Sequence, residues 1–258
     1  MKIFNTLFKK EILEQIRSKK ILILFILFIF VAIASPVLAK AMPAIFKSLN
    51  LEQQGINITI PDPTFRDSID QFVKNLTQIA VLAIVFIFAG AISEEKNKKT
   101  LEILLTKPVS RGVFVISKFV SSFLTLSAIY WINVVIFIFY TRSVLGVFNA
   151  GNFLELATLL WVYLLLITAV VVFASAIASS TIGAVAIGFV GLIVFGSITS
   201  VVQLTEKYSP GFVLGNYKDI VTDGFNHSAL APTVTSLILI IIFMLVAVLM
   251  FRNQEVER

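Results

Sequence analysis

The chain has 258 residues, of which 58% are apolar and 14% charged, and its formal net charge is +6. A soluble domain carries about 25% charged and about 45–50% apolar residues, so this composition excludes the ordinary soluble class and points to a membrane. With no cysteine and a single histidine, His227, the sequence excludes disulfides, thiol nucleophiles, thiolate metal sites, multi-histidine metal centres and paired-histidine haem ligation.

In chain order, residues 1–20 come first. Phe4, Phe8, Ile12 and Ile16 recur every four positions, with Ile3, Leu7 and Leu13 alongside and Lys9, Lys10, Glu14, Arg17 and Ser18 mostly elsewhere. This pattern predicts an amphipathic helix lying along the membrane surface, either a simple anchor or a docking surface for a cytoplasmic partner. A spanning helix needs about 20 mostly apolar residues to cross about 30 Å of hydrocarbon. Six stretches qualify: 21–39, 76–92, 114–140, 153–178, 181–203 and 230–251. The uncharged run between Leu156 and Thr205 is too long for one span, and Ser179, Ser180 and Thr181, with Gly183 just after, mark the turn that divides it. The first stretch, followed by Leu38-Ala39-Lys40-Ala41, also has the outline of a signal peptide. Its length favours an uncleaved span, and cleavage would leave five.

With six spans, both termini lie on one side. That side, which includes residues 1–20, the loop 93–112, Lys118 and the tail from Arg252, carries twice as many Lys and Arg as the other. It is therefore expected to be cytoplasmic, and the positive net charge reads as topology rather than nucleic-acid binding. Tyr130, Trp131 and Tyr140, and then Trp161 and Tyr163, are placed to sit at the outer interface. The expected fold is all-α: a single six-span transmembrane domain over 1–258, with the N-terminal interfacial helix and a short cytoplasmic helix.

The second and third spans are joined by Ser93-Glu94-Glu95-Lys96 through Thr100-Leu101-Glu102-Ile103-Leu104-Leu105-Thr106-Lys107-Pro108-Val109-Ser110-Arg111. Glu94 and Glu95 after Ser93 suit a capped helix start, and Pro108 disfavours helix at Lys107. The leucines form an apolar stripe on a polar loop, which packs either against a partner or back onto its own bundle. Within the spans, acidic and basic side chains are missing from the hydrophobic interiors. Lys118, Glu155 and His227 lie toward the ends, where long side chains snorkel. This argues against a proton- or ion-coupled carrier and leaves room for transport powered from outside the bilayer. Asn133, deep in the third span, either bonds between helices or lines a path. Ala174, Ser175, Ala178, Gly183, Ala184, Gly188, Gly191 and Gly196 allow close helix approach, within the subunit, at a dimer seam, or both. Residues 203–229 form either short helices at the outer interface or a surface loop. The sequence contains no GxxxxGK[ST] phosphate loop and no plausible Ser/His/Asp set, so no enzyme site and no cofactor is expected.

The 93–111 stretch resembles the cytoplasmic loop of the type-2 ABC transporter (ABC-2) permeases. Members show an acidic pair after the second span, then a Thr-Leu-Glu-Leu run, a proline, a serine and a basic residue. The six-span layout and the amphipathic start are similar too. The resemblance implies a complex of two permeases and two cytosolic ABC ATPases in the inner (plasma) membrane, usually an exporter, with surrounding lipid as a further partner. It implies that the N-terminal helix and the loop contact the ATPases. Glu94, Glu95 and Glu102 would orient the loop through charge pairs, Leu101, Leu104 and Leu105 would pack into an ATPase groove, and Thr100, Pro108 and Arg111 would complete the motif. The runner-up from a different class is a membrane anchor or scaffold subunit without a transport path, and a self-contained channel is third.

Overall fold

The structure, a computed structural model, describes residues 2–48, 62–100, 110–201, 208–224 and 229–253, and every regular element among them is helical. Helix α1 is Lys2–Arg17 and α2 is Lys20–Ser48. Helix α3 is an interrupted rod over Phe65–Asn97, α4 is Arg111–Leu145 and α5 is Ala150–Ile177. Helix α6 is Thr181–Val201, α7 is Phe212–Asp223 and α8 is Leu230–Asn253. By length and apolar composition α2, α3, α4, α5 and α8 can each cross a bilayer, and α6 contributes a shorter apolar stretch over Thr181–Val194.

Several helices outrun the spans expected from hydropathy. Helix α3 has 33 residues, which at 1.5 Å per residue is about 50 Å, well beyond the hydrocarbon thickness. Its start is set by a cap: the Thr64 backbone N–H and hydroxyl donate to Asp67 Oδ2 at 2.7 and 2.9 Å. The long outer loop expected between the first two spans is thus flanked by helix on both sides, to Ser48 and from Phe65. The polar extension Phe65–Asn75 is held on α4 by the Ser68–Thr141 hydroxyl contact at 3.1 Å and by Phe72 against Phe137, ring centroids 4.2 Å apart.

At its other end α3 passes residue 93 and stops at Asn97. The expected helix start at Ser93 is therefore replaced by the closing turns of α3. The Ser93 hydroxyl donates to Ala89 O at 2.7 Å within the helix instead of capping a new one, and Glu94 and Glu95 belong to the last turns of the rod. The rod is interrupted twice. A single π-helical turn occupies Leu76–Ala80, and a break falls at Ala89 between Val81–Phe88 and Gly90–Asn97. The second break has a visible cause: Ser175 Oγ of α5 accepts from the backbone N–H groups of Ile92 and Ser93, at 2.9 and 3.0 Å. A side chain inserted into the helical ladder bends the helix there.

Small residues act inside the subunit. A Cβ on Gly191 would meet Val170 Cγ1 at 2.9 Å, and one on Gly188 would touch Val171 and Val85. Helix α6 thus packs closely on α5 and α3, which assigns these two glycines to intrasubunit packing. Ser180 caps α6, its Oγ accepting from Gly183 N at 3.1 Å, as the turn residues anticipate. Two of the expected interfacial aromatics are cross-links. Tyr130 is fully buried and donates to Ala157 O at 2.7 Å, and Trp161 Nε1 donates to Ser127 Oγ at 2.9 Å. Asn133 is buried, and its Nδ2 donates to Phe28 O, tying α4 to α2. The segment 203–229 contains the helix α7, which is tied to α5 by Asn152 Nδ2 donating to Val221 O at 3.1 Å.

Candidate functional site

One end of the bundle gathers α1, the start of α2, the end of α3, the start of α4, the end of α5 and the end of α8. The contacts there are ionic and buried, which in an apolar chain singles the region out.

Helix α1 presents Leu7, Glu11 and Gln15, four residues apart, to the start of α4, which answers with Lys118, Ser121 and Thr125. Lys118 is only 3% exposed and does not snorkel to solvent: its Nζ lies 2.5 Å from Glu11 Oε2 and 2.6 Å from Glu95 Oε1. One turn farther along α1, Gln15 Oε1 accepts from Thr125 Oγ1 at 2.7 Å while Gln15 Nε2 faces Ser121 Oγ at 3.4 Å. Lys10, on the rim, reaches Glu95 at 2.5 Å, Glu11 at 3.1 Å and Glu14 at 3.2 Å. Three elements that are distant in sequence are thereby held at one point, with Glu95 as the shared acceptor.

The charges suit the burial. The Glu11, Glu14 and Glu95 carboxylate oxygens lie within 4.8 Å of one another, and the ammonium groups of Lys10 and Lys118 supply the positive charge between them. Burial raises the pKa of Glu11 above the ordinary carboxylate value, against the pull of Lys118 and Lys10. Burial works against the charged form of Lys10 as well, but Glu11, Glu95 and Glu14 outweigh it and its pKa lies above that of a free lysine.

The neighbouring residues extend the junction. Glu94 pairs with Lys20 at the start of α2 at 2.6 Å and with Lys98 at 2.7 Å. Lys96 Nζ donates to Ala176 O at 2.5 Å and Ala178 O at 3.0 Å, closing the C-terminus of α5 where a cation is favoured. Arg111 Nη1 donates to Arg252 O at 3.1 Å, joining α4 to the end of α8. Thr100 Oγ1 donates to Glu95 O at 3.3 Å, and Ser110 Oγ caps α4 by accepting from Val113 N at 3.3 Å.

Of the residues singled out from sequence, the structure therefore brings Glu94, Glu95, Thr100 and Arg111 to this end, and Asn133 lies in the bundle interior. Leu101, Glu102, Leu104, Leu105 and Pro108 lie outside the described residues, as does His227. Sequence reasoning missed Glu11, Lys10, Gln15 and Ser175. Glu11 had little local signal: it follows Lys9 and Lys10 in a charged stretch between Phe8 and Ile12, although it sits four positions after Leu7. Ser175 had none beyond its small size.

Ser175→Ala tests the local geometry. It leaves two buried backbone donors without their acceptor, at about 1–3 kcal/mol for each group left unsatisfied. The purified protein should lose thermal stability in detergent by a matching amount. An unchanged midpoint would mean that the Ile92 and Ser93 amides find partners within α3.

At the opposite end, Arg66, Asp70, Tyr217 and Lys218 line a cavity of about 180 Å³ between α3 and α7, with Lys218 Nζ 3.3 Å from Asp70 Oδ2.

The described residues form a helical bundle with five helices long and apolar enough to cross a membrane, and its buried ion pairs gather at one end, beside the segment between the second and third long helices. The chain belongs to the ABC-2 transporter family: the model of the ABC-2 family transporter protein matches residues 5–256, nearly its whole length. Among curated proteins, an uncharacterized transmembrane protein of Bacillus subtilis (strain 168), YxlG, is 23% identical over 118 residues. That stretch is 46% of this chain and 46% of the relative, so the similarity spans about half the length of each.

Proposed function

We propose that the chain is the permease subunit of an ABC exporter in the inner (plasma) membrane, forming one six-span domain with both termini cytoplasmic. It pairs with a second permease subunit, identical or related, and is driven by a separate cytosolic ATPase that docks on the segment 101–109 and on the neighbouring part of α1. The observation that carries this reading is the ionic junction at the α1 end. Thr100 and Arg111, which flank the segment, are bonded respectively to Glu95 of the junction and to the end of α8. A push on the segment is therefore delivered to helices held together by buried charge rather than absorbed by a slack loop. The junction also lies at the end richest in Lys and Arg, as a cytoplasmic end requires.

The test is topological and biochemical together. A reporter after Arg258 should read cytoplasmic and a tag beside Gln53 should read external. An ABC ATPase should copurify from native membranes with the tagged permease. Finding both tags on one side would end the six-span arrangement. Correct topology with no ATPase recovered would favour a scaffold subunit instead.

A further inference from the structure

Helix α1 sorts its charges by side. Both of its acidic residues are engaged by lysines: Glu11 by Lys118 and Lys10, and Glu14 by Lys10. Glu94 and Glu95 nearby are likewise met by Lys20, Lys98, Lys10 and Lys118. Among the described residues, Lys9, Arg17 and Lys19 meet no carboxylate. On a helix of 3.6 residues per turn, Lys9, Leu13, Ile16 and Arg17 share the face directly opposite the Leu7–Glu11–Gln15 seam. All four are exposed, Leu13 by 42% and Ile16 by 54%. The exposed apolar side chains Leu22 and Ile23 continue this surface onto the first turn of α2.

Lys19, in the turn between α1 and α2, adds an independent observation. Its φ is +60°, in the left-handed region that glycine occupies most readily at a helix C-terminus. Its N–H donates to Ile16 O at 3.0 Å, closing α1. A lysine at this position carries a backbone cost; its side chain is exposed and makes no ion pair among the described residues. Such strain points to a role for the side chain outside the subunit.

We infer that the outward face of α1 and its turn into α2, through Lys9, Arg17 and Lys19 with Leu13 and Ile16 between them, binds the anionic headgroups of membrane phospholipids. Charge complementarity selects this occupant: the face combines unpaired cations with exposed apolar side chains and no free acid, the pattern that seats a helix at an anionic bilayer surface. The apolar side chains enter the acyl boundary beside the first span while the cations reach phosphate. Because the opposite face of the same helix holds Lys118 and Glu95, anionic lipid steadies the junction from outside. The inference rests on the proposed cytoplasmic placement of α1 only in naming the leaflet; the binding itself is a property of the purified chain.

The experiment is native mass spectrometry of the full-length permease released from nanodiscs of equal phosphatidylglycerol and phosphatidylethanolamine. Wild type should retain phosphatidylglycerol preferentially, and less of it as salt rises. Each cation removed as Lys9→Gln, Arg17→Gln or Lys19→Gln should lower that preference roughly fivefold, from the approximate worth of one basic residue at an anionic surface. Lys218→Gln, at the opposite end, should leave it unchanged. Lys19→Gly separates lipid binding from folding: it should keep or raise the thermal midpoint in neutral detergent while losing the same roughly fivefold. Equal retention of the two lipids by wild type would overturn the inference. So would a triple Gln variant that keeps the wild-type preference, or photo-crosslinks from positions 13 and 16 that reach only the ATPase.

Discussion

Lys118→Met should destabilise the purified permease by about 3–5 kcal/mol, the range for breaking a buried ion pair by removing one partner. Lys118 is 3% exposed, and the carboxylates it holds, Glu11 and Glu95, are 4% and 7% exposed. Lys10 cannot take over, since it is 40% exposed and already shared among Glu11, Glu14 and Glu95. The signature is rescue. Adding Glu11→Met should recover most of the loss, because a buried pair replaced by apolar side chains of similar volume is often close to neutral. The sign with pH follows from Glu11. Its pKa in the folded state is raised, so the docked helix holds a proton more readily than the free one. The stability this contributes is fully present below the ordinary carboxylate value and is lost as pH rises through the folded value. Without Lys118 the carboxylate takes up its proton more easily still, so mild acid should relieve Lys118→Met more than wild type. Denaturant unfolding in detergent at two pH values measures both effects. A loss below about 1 kcal/mol, the worth of an exposed pair, would remove the junction from the account.

The same residues show where local sequence stops being informative. The long apolar helices are legible because lipid demands uninterrupted apolar runs, and the turn at Ser179–Ser180 is legible because the uncharged run is too long for one helix. The helix ends are less so. Phe65–Asn75 is polar enough to look like a loop, and only the Thr64–Asp67 cap marks it as the start of the rod that becomes the second span. The end of α3 is hidden for the opposite reason: Ser93-Glu94-Glu95 has the chemistry of a helix start, but tertiary partners on α1, α2 and α4 use those carboxylates from the last turns of an existing helix. The burial of Lys118 is hidden from hydropathy, which registers a lysine near a span end as able to snorkel. Its partners lie in α1 and α3, and no pattern local to residue 118 reveals them. The loop motif identified the family, while the brace that holds the loop's ends appears only in three dimensions.

Leu104→Asp with Leu105→Asp should abolish recovery of the ATPase while leaving the permease in the membrane. The two leucines belong to the short apolar run 103–105, which lies between Glu102 on one side and Thr106 and Lys107 on the other. A run so short and so flanked cannot span a bilayer. Its apolar surface needs a protein groove, and the proposed groove is on the ATPase. Fully burying one leucine is worth roughly 1.5–3 kcal/mol, so losing two anchors removes about 3–6 kcal/mol of docking energy before the cost of burying two carboxylates. Since about 1.4 kcal/mol is tenfold, binding should weaken by at least about a hundredfold. The brace predicts a second, finer result. Because Glu95, Lys118 and Glu11 lie outside the substituted segment, the double variant should unfold in detergent at the wild-type midpoint, whereas Lys118→Met should not. The measurement is ATPase copurification and transport at matched membrane abundance, with the unfolding midpoint taken on the same preparation. Normal ATPase recovery by the double variant would return the segment to packing on its own bundle, and a lowered midpoint with normal recovery would show which part of the bundle it covers.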